Sequence, residues 1–171
     1  MKTKQDTIRA TGEIHGVLRD KDGNIKEEFY ERNLVVDLGR EMVNDALRTG
    51  TVAPLTHIGI GWSNPDTEPS APAAGDINLP MPGGTPPWAN AYQDRKAAVV
   101  TKISATQFSL YQSWGTGQPA TTAIWPKAIR AIGAFTAAGT GNNQIFSWAK
   151  RAPINKDTTD TLEFTYTFTV G

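Results

Sequence analysis

Apolar and polar positions alternate most regularly at the end of the chain. Leu162, Phe164, Tyr166, Phe168 and Val170 interleave with Glu163, Thr165, Thr167 and Thr169. Successive side chains of a strand point to opposite faces, so this segment predicts a core strand with one apolar and one solvated, β-branched face. The start of the chain repeats the pattern, with Ile8, Ala10, Gly12, Ile14, Gly16 and Leu18 on one side. Asp20 to Asn24 follow as a turn, and Ile25 to Val36 reads as the return strand of a hairpin.

The period then changes. Leu38, Met42, Val43, Ala46 and Leu47 share one helical face, Asp37 is placed to cap the start, and Gly50 suits the stop, which predicts a helix over 38–49. Thr56 to Trp62 returns to strand spacing, with Ile58, Ile60 and Trp62 against Gly59 and Gly61. One face therefore carries bulk, while the other lets a neighbour approach closely. Arg95–Ile103, Gln107–Trp114, Ala128–Phe135 and Gln144–Lys150 are four further short runs of β type between Gly, Pro, Ser, Thr or Asn clusters.

About eight strands at this spacing with a single helix predict a mainly all-β protein, an antiparallel two-sheet β-sandwich of jelly-roll-like form, rather than alternating βαβ units. One body over 8–171 follows an extended N-terminal arm, residues 1–7. The exception to all periodicity is 63–93, where 31 residues hold seven of the eleven prolines and three glycines. Loops of more than about 12–15 residues without their own secondary structure are uncommon in compact domains and are often binding elements. Pro-rich chain is extended and loses little entropy on docking. Deleting Asp66 to Pro87 is accordingly expected to leave the domain folded.

Composition narrows the function. Seventeen basic residues balance seventeen acidic ones, which argues against nucleic acid held by bulk charge. There is no cysteine, so neither a disulfide framework nor a thiolate metal site is available. No run approaches the length of a membrane-spanning helix and no leader pattern opens the chain, so a protein made soluble in the cytoplasm, without a membrane partner, is expected.

Candidate chemistry is sparse. His15 and His57 have no metal-type spacing, and neither a serine-nucleophile elbow nor a phosphate loop is present. Asp20, Asp22, Asn24 and Glu31 match part of a calcium loop, but Ile25 occupies the position that must be glycine, so an ordinary hairpin turn is expected. Neither a catalytic set, a cofactor nor a metal is expected. Trp88, Trp114, Trp125 and Trp148 could form an aromatic platform or cap a core. Trp88, in a Pro-Pro-Trp-Ala-Asn context, has no apolar periodicity to share.

Several segments in order resemble a family of small structural proteins of tailed bacteriophages. They are Asp22-Gly23-Asn24, the run Asn33-Leu34-Val35-Val36-Asp37-Leu38-Gly39-Arg40, and Ile58-Gly59-Ile60-Gly61 followed by a Pro/Ala/Asp loop ending near Leu79. The closing run Asp160 to Val170 completes the set. The resemblance implies a non-enzymatic virion component: a capsid decoration or cement subunit that bridges capsid proteins, or alternatively a neck, baseplate or tail-fibre module that binds host carbohydrate. It implies the major capsid protein or other virion proteins as partners, and a homo-oligomer, a trimer in preference. The expected partner-contacting residues are Trp88, Pro86, Pro87, Pro82, Leu79 and Trp125.

Overall fold

The computed structural model describes residues 10–50, 54–63, 71–76, 79, 93–119, 127–138 and 144–171. The N-terminal arm, and Trp88, Pro82, Pro86, Pro87 and Trp125, lie outside them.

Ten strands and one helix follow one another: β1 (Ala10–Arg19), β2 (Ile25–Arg32), β3 (Leu34–Val35), α1 (Asp37–Thr49), β4 (His57–Ser63), β5 (Gln93–Ala97), β6 (Val99–Lys102), β7 (Gln107–Trp114), β8 (Lys127–Phe135), β9 (Ile145–Lys156) and β10 (Thr161–Val170). They build two antiparallel five-stranded sheets. Sheet A has the order β2-β1-β10-β7-β6 and sheet B the order β3-β9-β8-β4-β5. The expected sandwich is therefore the observed one, with Ile14, Leu110, Leu162, Phe164, Tyr166 and Phe168 of sheet A facing Ile58, Ile60, Ile129, Ile132 and Ala149 of sheet B in one apolar layer.

Two segments that read as single strands are each divided between the sheets. The Ile25–Val36 run breaks at Asn33, whose N–H donates to the Gly12 carbonyl at 3.2 Å, so β2 lies at an edge of sheet A and β3 at an edge of sheet B. The Arg95–Ile103 run breaks at Ala98, whose N–H donates to the Thr56 carbonyl at 2.8 Å, and joins the opposite edges. The sandwich is thus stitched by continuous chain along both flanks.

Side chains reinforce each stitch. On the β2/β9 flank, β9 carries two extra residues against β8, since Ile129 pairs with Ile154 but Ala131 with Lys150. Bulges redirect side chains, and this one holds Arg151 over the Phe29 ring, paired with Glu27 and near Glu31 of β2. Pro153 is absorbed at the same irregularity, which is how β9 continues past the expected end at Lys150. On the other flank Gln112 Nε2 donates to the Ala97 carbonyl and Lys96 Nζ to the Ser113 carbonyl at 3.1 Å.

The β9–β10 turn is organised by a fully buried lysine. Lys156 Nζ donates to the carbonyls of Gly115 (3.0 Å) and Asp160 (2.7 Å), linking this turn to the end of β7. The Asp160 carboxylate accepts from Lys26 Nζ at 2.7 Å, a contact that raises the Lys26 pKa above its ordinary value. Buried charge is tolerated when it is hydrogen-bonded in this way.

The helix starts at Asp37, one residue before the expected Leu38, and Asp37 is its first residue rather than its cap. Its N–H donates to the Ala74 carbonyl at 2.7 Å and its carboxylate pairs with Arg40 at 2.9 Å. Gly50 closes the helix in the left-handed conformation, φ 70°, with its N–H on the Ala46 carbonyl. Met42 and Val43 pack on the main core, but Leu47, assigned to the same face by spacing, is exposed. Gly39 sits against β9 so closely that a Cβ there would lie 2.3 Å from the Phe146 carbonyl oxygen.

Candidate functional site

The two outer faces of the sandwich have opposite fates. On sheet B, Gly59, Gly61, Ala131 and Gly133 form a shallow surface of small residues. Phe135 and Leu79 fill it: a Cβ on Gly59 would lie 2.5 Å from Phe135 Cε2, and one on Gly133 3.0 Å from Leu79 Cδ2. The close approach expected opposite Ile58 and Ile60 is thus made at Gly59 by Phe135 of β8 and at Gly61 by Leu79 of the chain's own loop. Leu79 joins Val36, Ala131, Phe135, Ile145 and Trp148 in a second buried cluster, with Leu38 packed against it.

Asp76 fastens the loop to this cluster. Its Oδ2 accepts from Trp148 Nε1 at 2.8 Å and from the Ala73 N–H at 2.7 Å. Buried indoles require such an acceptor, and Trp114 finds the equivalent in Asp94 Oδ2 at 2.7 Å. Arg95 lies 3.8 Å over the Phe135 ring and donates to Gln144 Oε1 at 2.9 Å. Burial lowers its pKa to about 10. Beside it, burial and then the Arg95 charge lower the His57 pKa. The Thr56 hydroxyl donates to the Thr136 carbonyl at 3.0 Å, so at 2.8 Å it can only accept the His57 Nδ1 proton.

One expectation is corrected here and two others are resolved. Leu79 does not stand on the surface as a partner contact: it is buried in the chain's own second core, because the glycines of β4 and β8 leave a seat for it. Trp114 and Trp148 are fully buried and form no platform. The Asp20 turn is the ordinary hairpin turn expected of it. Asp20 Oδ1 accepts the Asp22 and Asn24 N–H groups at 2.9 Å and Oδ2 accepts from Asn24 Nδ2, and the Asn24 contacts lower its pKa.

Sheet A leaves its outer face open among the described residues. The registers align Tyr30, His15, Thr165, Tyr111 and Val99 in one row across all five strands. His15 stacks on Tyr30, with centroids 4.5 Å apart and planes at 9°, and its Nε2 meets Glu28 Oε1 at 2.8 Å. Tyr30, Tyr111 and Val99 are exposed. The next row is Arg32, Glu13, Thr167, Ser109 and Thr101.

This second row borders a recess of about 360 Å³ lined by Thr11, Gly12, Glu13, Arg32, Gln107, Thr167 and Thr169. Gln107 Nε2 donates to Thr169 Oγ1 at 2.9 Å. Glu13 and Arg32 face each other in register, both exposed, without forming an ion pair. A carboxylate and a guanidinium held apart over hydroxyl groups can accept and donate hydrogen bonds at one place. The alternation of β1 and β10 gave the polar face, but the recess was hidden because it depends on the sheet order.

Comparison with protein-family models, with curated proteins and with solved structures returned no significant match.

Proposed function

We propose that the chain is a non-enzymatic structural protein of a tailed-phage virion, a decoration or cement subunit that bridges capsid proteins through its N-terminal segment and Pro-rich loop. The observation that carries this reading is the one-sided anchoring of the loop. Asp76 and Leu79 hold its middle against sheet B, and its far end enters β5 of the same sheet. Binding chain held on a rigid body loses less entropy on docking than a free tail does. The two stitched flanks supply that rigid body. Pro82, Pro86, Pro87 and Trp88 follow the Leu79 anchor and are the proposed contacts to the major capsid protein. Attachment repeated over a symmetric shell lets each contact be weak.

Gel densitometry of purified particles tests the reading. A decoration subunit is present in copies on the order of hundreds, whereas a few dozen copies assign the alternative place in neck, baseplate or fibre, with Trp88 or Trp125 meeting host carbohydrate. Absence from particles overturns both.

A further inference from the structure

We infer that the recess between Glu13, Arg32, Gln107 and Thr167 on the open face of sheet A is a binding site for a neutral saccharide unit. The inference is independent of the virion reading and uses neither Trp88 nor Trp125. Its volume of about 360 Å³ is at the small end of ligand pockets, which span about 300–1,000 Å³, and suits one pyranose ring with its substituents. Every side chain lining it is polar: Thr11, Glu13, Arg32, Gln107, Thr167 and Thr169. The single carboxylate and single guanidinium balance, so the site has no charge to favour a polyanion or a cation.

Hydrogen-bonding capacity is spare and of both kinds. The side chains of Glu13, Arg32, Thr11 and Thr167 make neither a hydrogen bond nor an ion pair among the described residues. The Gln107–Thr169 bond holds those two side chains in place while leaving the Thr169 hydroxyl hydrogen and the Gln107 carbonyl oxygen for a ligand. A sugar hydroxyl donates and accepts at once. Adjacent hydroxyls can therefore span Glu13 and Arg32, satisfying both charges without moving either.

Titration of ¹⁵N-labelled protein with glucose, galactose, N-acetylglucosamine and their linear hexasaccharides tests the site. Saturable amide shifts are expected with at least one probe, confined to Thr11–His15, Tyr30–Arg32, Gln107 and Thr167–Thr169. Arg32→Ala and Glu13→Gln should each weaken that binding at least about tenfold. Neither side chain makes a hydrogen bond or ion pair among the described residues, so the thermal midpoint should not move. Absence of saturable shifts with every probe, shifts centred elsewhere, or undiminished affinity in both variants would each overturn the inference. Tighter binding of a uronic-acid hexasaccharide would overturn the neutral assignment.

Discussion

The guanidinium carbon of Arg151 lies 3.7 Å from the centroid of the Phe29 ring, joining the bulge of one sheet to the edge strand of the other. Glu27 and Glu31, on either side of Phe29, complete the arrangement. Removing the cation exposes an aromatic ring and leaves two carboxylates near one another without their counter-charge. Arg151→Ala should lower stability by about 2 kcal/mol, and Arg151→Lys by about 1, because lysine keeps charge but not the planar fork. Urea unfolding monitored by circular dichroism measures both. An alanine variant as stable as the parent would remove this clasp from the account of the fold.

Asp76 is the acceptor that holds the loop to Trp148. Asp76→Ala should cost about 1–3 kcal/mol, since it strands a buried indole N–H, and should speed hydrogen exchange at the Trp148 indole. Asp76→Asn keeps one oxygen acceptor and should lose less. Equal losses in the two variants would show that the hydrogen bond is not what matters.

The same anchors set where the loop can be cut. Deleting Asp66 to Pro87 removes Asp76 and Leu79, so the expectation that the domain would survive it needs revision. That deletion should strip the cover from Trp148, Phe135 and Gly133, lowering the thermal midpoint sharply and increasing dye binding to exposed apolar surface. Deleting only Met81 to Ala91 should keep the midpoint near that of the full chain. Equal stability of both deletions would contradict the anchoring.

Gly39 reverses a common rule. Glycine to alanine inside a helix usually stabilises by about 1 kcal/mol, yet here the new methyl would meet the Phe146 carbonyl at 2.3 Å. Backbone cannot swing aside cheaply, so Gly39→Ala should destabilise, by about 2 kcal/mol. A rise in the denaturation midpoint would show that the helix can lift from β9.

His57 gives a pH dependence of definite sign. Its folded pKa is depressed by burial and by Arg95, so between that value and the ordinary one, about 6.5, the unfolded chain holds more protons. Stability should therefore fall as pH drops below about 6.5 and level off below the depressed folded pKa. The slope should be shallower in His57→Gln. Parallel pH profiles for the two proteins, from thermal melts, would rule His57 out as its source.

Legibility of the fold depended on how local each cause is. The alternation of β10, the Asp20 turn and the Gly50 stop are fixed by neighbours in sequence, and all were readable. The sheet changes at Asn33 and Ala98 were not, because each run reaches them without a Gly or Pro break and only long-range pairing turns the backbone. The extension of β9 through Pro153 was masked by a residue that argues against strand, and it needs the bulge to be understood. Gly59 and Gly61 announced a close neighbour without naming it. Leu79 could be matched to them only once β4 and β8 lay side by side. The recess on sheet A draws on β1, β2, β7 and β10, so no single segment could have revealed it.

Ala10 stands opposite Val170 in the ladder between β1 and β10, which runs through ten register pairs to Arg19 and Thr161. These strands lie within sheet A, between β2 and β7. Pulled apart from Ala10 and Val170, however, the ladder is loaded at one end only, and its hydrogen bonds meet the force one after another rather than together. However firmly the stitched flanks hold the two sheets, the body should therefore yield to tension at this seam first, opening like a zipper beside Thr11 and Thr169.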